Sequence, residues 1–404
     1  MNSAVYLCLI LLGLCTTIQG HHLEGHDDNT SANALKIYTY TAQFAVTLYK
    51  ELSAASPGKN VFFSPLSISA IFSLLSLGAK STTHTQILEG LSFNLSAIQE
   101  KEIHQSFHDI FSVLTRRDSQ IQLDIGQALF LKEDKKPLQK FLDDIHGFYD
   151  AEILPTKFQE PAEAEKQIND YVEKKTHGKI VKLVNSLQED TELVLVNYMF
   201  FKGNWKKPFD PQQTTERDFF VDQEKTVKVP MMHRMGWFYY YFDPELSCTV
   251  LQLDYNGTAT AFFVLPERGK EKELEQSLST CVLNKWAVHV SRHTANVYIP
   301  KFNISTSYDL KEPLIKLGIR DVFSDHADLT GFTGQPLKVT KVNHKAVLTV
   351  DEKGTEAAAA TAVEAMPMSL PPTLEFNHPF MVLLYNTVTN STLFIGKIVD
   401  PTEQ

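Results

Sequence analysis

Residues 351–380, DEKGTEAAAATAVEAMPMSLPPTLEFNHPF, are the part of this sequence whose residue types and spacing could do chemistry. In the first half, Thr355, Ala357, Ala359, Thr361, Val363 and Ala365 form one small, mostly apolar row. Glu356, Ala358, Ala360, Ala362 and Glu364 form the other. A period of two with both glutamates on one side is the pattern of a strand that turns one face to a core and one to water. In the second half Pro367 precedes Met368, and Pro371-Pro372 follow shortly after Ser369. Proline removes ladder donors and holds backbone extended, and extended backbone is what a protease active site binds. Met368 has the size to fill a medium apolar specificity pocket. The competing pattern is an alanine-rich helix, since Ala357–Ala360 has high helix propensity. Residue types alone leave both open.

Catalytic signatures are missing elsewhere. The chain has no G-x-S-x-G elbow, H-E-x-x-H, C-x-x-C, P-loop or G-x-G-x-x-G. Its 14 histidines are scattered without metal-ligand spacing. An enzyme is therefore not expected, nor is a cofactor or a metal. A net charge of −10 without a basic stretch argues against nucleic acid as a partner.

The elements that must position the segment start after an export signal. Residues 4–15 form an apolar run too short to span a bilayer, followed by small and polar residues to Gly20. Residues 1–20 read as a secretory signal peptide and 21–34 as a flexible polar tail, so the protein is expected outside the cell and off the membrane. Cys8 and Cys15 leave with the signal, and Cys248 with Cys281 is too few for a disulfide framework. Sequons at Asn29, Asn94, Asn256, Asn303 and Asn390 are candidate glycosylation sites.

Ile37, Tyr40, Phe44, Leu48 and Leu52 recur at helical spacing. Ser64-Pro65 supplies an N-cap and a first-turn proline for a helix over 66–79, and Thr83-x-x-Gln86 reads as a capping box for the next. Residues 100–115 are amphipathic, and a further helix runs from Ala162 to Thr176. Strands are expected at 120–131, at 250–255, at 258–266, and in the pair 379–385 and 392–399. Thr191–Phe201 is nearly all apolar, which suits a central strand buried on both faces. With helices early, strands late and no linker, residues 35–404 predict one α+β domain with mixed sheets.

Seven stretches resemble the serpins: FFSPLSIS (Phe62–Ser69), QINDYVEK (Gln167–Lys174), NYMFFKGNWKKPF (Asn197–Phe209), TVKVPMM (Thr226–Met232), HKAVLTVDEKGTEAA (His344–Ala358), EAMPMSLPP (Glu364–Pro372) and FNHPF (Phe376–Phe380). They keep the family's order from about Leu35 to the end. The resemblance implies the serpin fold, with three β-sheets, about nine helices and an exposed reactive-centre loop at about 352–376. It places the scissile bond at Met368–Ser369 and the hinge at Gly354, Thr355, Glu356, Ala357, Ala358, Ala359, Ala360 and Thr361. It makes Glu352 the loop's anchor, gives Ser64, Asn197 and His344 the gating of sheet opening, and puts Trp205 where insertion begins. Ala359, Thr361, Ala362 and Val363 depart from the familiar pattern but remain small or β-compatible.

The function so implied is a monomeric suicide substrate that traps elastase-like or chymotrypsin-like serine proteases in a covalent complex. Heparin is not an expected partner, because residues 97–119 offer only Lys101, Arg116 and Arg117. Two rivals stand beside it: a non-inhibitory carrier of a hydrophobic hormone, and a true hydrolase.

Overall fold

The computed structural model describes residues 35–116, 121–353 and 371–403. The chain begins with α1 (Tyr38–Ala55), β1 (Val61–Phe63), α2 (Pro65–Ser76), α3 (Ser81–Gly90) and α4 (Glu100–Leu114). β2 (Ile121–Lys132), α5 (Gln139–Phe148), β3 (Glu152–Thr156), α6 (Pro161–Lys175) and β4 (Leu193–Gly203) follow. Next come β5 (Thr215–Phe220), β6 (Thr226–Asp243), β7 (Cys248–Asp254), β8 (Ala259–Pro266), α7 (Glu271–Ser277) and α8 (Thr280–His289). The rest is β9 (Ser291–Pro300), β10 (Phe302–Asp309), α9 (Lys311–Lys316), α10 (Thr330–Thr333), β11 (Lys341–Val350), β12 (Thr373–Glu375), β13 (Phe380–Asn386) and β14 (Ser391–Ile398). The described residues thus hold ten α-helices, against the nine or so expected.

Local chemistry explains several starts and stops. Ser64 accepts the Ser67 N–H at 3.2 Å and Pro65 opens α2, as the sequence predicts. The Thr83–Gln86 capping box is not formed. Helix α3 starts at Ser81, three residues before the start such a box would set, and both side chains are drawn into tertiary contacts. Thr83 Oγ1 accepts the Asp328 N–H at 2.9 Å, and Gln86 Oε1 accepts the N–H groups of Arg320 and Asp321 at 3.0 and 2.8 Å. A capping box does form one helix later, where Gln99 and Glu102 cap α4 reciprocally.

Five strands form one sheet in the order β10-β11-β4-β2-β3. β4 is buried along almost its whole length because both faces are covered. Leu193, Leu195, Met199 and Phe201 join the main core with α2, while Val194, Val196 and Phe200 pack with Ile168 and Val172 of α6. A second path runs β1-β14-β13-β8-β7-β6-β9-β12, with β5 paired to β6. The 18-residue β6 is the joint that links into one ladder what the three-sheet description separates. It pairs β5 over Thr226–Met231, β9 over Met231–Tyr240 and β7 over Tyr239–Asp243. Cys248 is buried and Cys281 exposed, with no disulfide between them.

Helix α7 is tied into this core by a nearly buried ion pair, Lys397 Nζ to Glu275 at 3.1 Å, with Ser53 Oγ donating to the same carboxylate at 2.6 Å. Glu275→Ala leaves the ammonium of Lys397 without its counter-ion. It is expected to cost about 2–3 kcal/mol, discounted for the partial exposure of the glutamate, read as a lowered urea midpoint at unchanged slope.

Candidate functional site

Two ends of one segment define the site. Met368, Ser369 and the hinge Gly354–Thr361 lie outside the described residues, as do the signal, the tail and Asn29. The upstream end leaves β11 at Val350 and is held through three successive backbone carbonyls. Asp351 accepts from Trp205 Nε1 at 2.8 Å, Glu352 from the Phe209 N–H at 2.8 Å and Lys353 from the Trp205 N–H at 3.2 Å. Trp205 itself is fixed by stacking on Tyr255, with centroids 4.1 Å apart and planes 19° apart.

The Glu352 carboxylate completes this attachment. Lys301 Nζ reaches one oxygen and Thr214 Oγ1 the other, each at 2.9 Å. Burial pushes the Glu352 pKa up, but these donors outweigh it and hold it below the usual glutamate value. The anchor is therefore an ionised group tying three separate stretches of chain. The downstream end is held elsewhere. Pro372 O accepts from the Asn296 N–H at 2.9 Å, and β12 adds in parallel to β9 from Thr373↔Asn296 to Glu375↔Tyr298.

Beneath the sheet, Ser64, Asn197 and His344 come together although they are far apart in sequence. His344 on β11 faces Asn197 on β4 in register. The Ser64 N–H donates to His344 Nε2 at 3.0 Å, so the proton sits on Nδ1, which donates to Asn197 Oδ1 at 2.6 Å. Asn197 Nδ2 donates in turn to Ser67 O at 3.1 Å. Complete burial pushes the His344 pKa down to about 3, so the imidazole is neutral at physiological pH. The cluster joins α2 to both strands, and it joins the strands to each other.

Those two strands meet in a parallel ladder from Lys341↔Val194 to Leu348↔Phe201. Parallel pairing is slightly weaker per residue than antiparallel. A segment turning back after Lys353 and entering between them would run antiparallel to both.

Sequence reasoning missed Phe209, Thr214 and Lys301 as partners of the anchor. Phe209 closes the NYMFFKGNWKKPF stretch, whereas nothing local marks Thr214 or Lys301. Of the sequons, Asn94 and Asn303 are exposed, while Asn256 and Asn390 are half-buried. Asn390 Oδ1 accepts from the Tyr385 hydroxyl at 2.8 Å.

Residues 39–401 match the family model described as serpin (serine protease inhibitor). The chain is a serpin. It is 49% identical to alpha-1-antiproteinase 2 of Equus caballus, over all of both chains. It is 48% identical to alpha-1-antiproteinase of Bos taurus, over 99% of this chain and 97% of that one. Among solved structures, human thyroxine-binding globulin complexed with thyroxine superposes with a TM-score of 0.87 at 42% identity, over 92% of this serpin and all of that chain. No helix among the described residues of the serpin is long and apolar enough to cross a membrane.

Proposed function

We propose that this serpin is a secreted, monomeric suicide inhibitor of elastase-like or chymotrypsin-like serine proteases. Its substrate bond is Met368–Ser369. The observation that carries the reading is the parallel β4–β11 ladder, whose outgoing chain is anchored at Glu352 and returns at β12 of the other sheet.

The protease serine attacks the Met368 carbonyl carbon. The Met368–Ser369 C–N bond breaks, an ester to the protease forms, and Ser369 leaves as a new amino terminus carrying the proton passed on by the enzyme's own histidine. Residues 354–365 are then no longer tethered at β12, and they enter between β4 and β11. One parallel ladder is replaced by two antiparallel ones, and the small row of Thr355, Ala357, Ala359, Thr361, Val363 and Ala365 is buried. Serpin loop insertion is itself a standard example of strand addition releasing stored strain. The attached protease is carried along the sheet. Distortion of its oxyanion hole stalls deacylation, since each lost donor costs about 10²–10³ in rate. The serpin contributes no catalytic group. Ser64, Asn197 and His344 gate the opening, and Trp205 with Glu352 fixes where entry begins.

The test is incubation with neutrophil elastase, chymotrypsin and trypsin separately, followed by denaturing electrophoresis and sequencing of the released fragment. A band that survives denaturation, with a fragment starting at Ser369, is the expected result. Clean cleavage without a complex defeats the trapping mechanism. Met368→Arg is expected to shift preference to trypsin by at least about tenfold in association rate, because a cation suits an acidic specificity pocket. An unchanged preference would mean that the scissile bond lies elsewhere.

The likeness to thyroxine-binding globulin supports a carrier as the second reading. Saturable thyroxine binding, with no complex formed with any of the three proteases, favours it.

A further inference from the structure

A cleft of about 1100 Å³ opens between the C-terminal end of α1, helix α7 and the start of β13, and none of Trp205, Phe209, Lys301 or Glu352 lines it. It is slightly larger than the roughly 300–1,000 Å³ of ordinary ligand sites. Its wall is apolar, built from Phe220, Val221, Leu274, Phe380, Met381 and Val399.

The charges around that wall are unevenly matched. Lys397 is paired with Glu275. The Asp222 carboxylate accepts the N–H groups of Glu224 and Lys225, and Glu271 accepts the Gly269 N–H. Three lining cations have no carboxylate within ion-pair distance among the described residues: Lys50, Arg268 and Lys272. Lys50 Nζ donates to the Gln276 carbonyl at 2.8 Å. Arg268 lies 4.2 Å over the Phe220 ring and donates to Asn377 Oδ1 at 3.4 Å. Four cations (Lys50, Arg268, Lys272 and Lys397) and three carboxylates (Asp222, Glu271 and Glu275) line the cleft, a net of one positive charge on a chain of net charge −10.

We propose that the cleft binds an amphipathic monoanion of the long-chain alkyl carboxylate class. The alkyl tail lies along Phe380, Met381, Leu274 and Val399, and the carboxylate meets Lys50, Arg268 and Lys272. An uncharged or cationic amphiphile of equal length buries the same tail but leaves those cations unmatched.

The test is calorimetric titration of the full secreted chain with dodecanoate, below its micelle concentration, beside dodecanol and dodecyltrimethylammonium. One saturable dodecanoate site is expected, with the other two weaker by at least about tenfold, a difference near 1.4 kcal/mol. The double variant Arg268→Glu/Lys272→Glu is expected to weaken dodecanoate by at least about tenfold. Ala54→Trp, at an exposed position on the cleft's edge, is expected to weaken dodecanoate by narrowing the entrance. Ala287→Trp, which lines a separate hollow of about 210 Å³ between α1 and α8, leaves it unchanged. The thermal midpoint checks folding of each variant, and the charge variants stand if Ala54→Trp does not fold. No saturable site, equal binding of dodecanol, indifference to the charge reversal, or loss with Ala287→Trp instead would each overturn the proposal. Protease trapping is read separately, so failure here leaves the inhibitory reading untouched.

Discussion

Thr355→Arg is expected to turn the inhibitor into a substrate that is cut and released. Thr355 opens the small row that enters the sheet in the proposed mechanism. The slot between β4 and β11 has a covered face on either side, with Leu195 and Met199 toward α2 and Val196 and Phe200 toward α6. A guanidinium placed there has no counter-ion and loses its hydration, at a cost of several kcal/mol. Insertion then becomes slower than deacylation, while the proposed substrate bond, Met368–Ser369, is still offered to the enzyme. Over an elastase titration, the covalent band is expected to fall by at least about tenfold, a barrier change of 1.4 kcal/mol or more, with cleaved serpin in its place. Thr355→Ala keeps a small residue and is expected to trap normally. Full trapping by the arginine variant would show that insertion past this position is not what stops the protease.

The second large effect is a loss of stability in mild acid. His344 is neutral when folded, with its pKa pushed down to about 3 by burial, whereas an unfolded histidine titrates near 6.5. Between these values the unfolded state binds more protons than the native state, so native stability falls as pH falls. The contribution is intact above about pH 6.5 and is lost progressively toward pH 3, reaching about 2 kcal/mol by pH 5. A protonated His344 also cannot accept the Ser64 N–H, so acid loosens the tie between α2 and β11. Unfolding free energies from urea titrations at pH 7.5 and 5.0 are expected to differ by that amount more in the parent protein than in His344→Gln. Equal pH sensitivity in the two would remove His344 as the source.

What could be read from the sequence follows the range of the interaction concerned. The Ser64–Pro65 start of α2 is a matter of neighbouring residues, and it was legible. So was β4, because a strand covered on both faces leaves a continuous apolar run. Thr83 and Gln86 misled because their side chains answer to a stretch some 230–250 residues away. The same physics hid Thr214 and Lys301, which meet Glu352 across 138 and 51 positions. Ser64, Asn197, Trp205, His344 and Glu352 were singled out through resemblance to the serpins. No spacing rule brings Ser64 to His344 across 280 residues.

Those long separations set a timetable for synthesis. β4 ends at Gly203, but its neighbour β11 begins only at Lys341, and β1 at Val61 must wait for β14 near the C-terminus. At about 5–20 residues per second, a ribosome leaves one edge of β4 without its partner for roughly 7–30 s. That edge belongs to a largely apolar strand, which is a template for stray pairing while it stays open. Yield of folded protein should therefore depend on chaperone cover during this interval as much as on the stability of the finished protein.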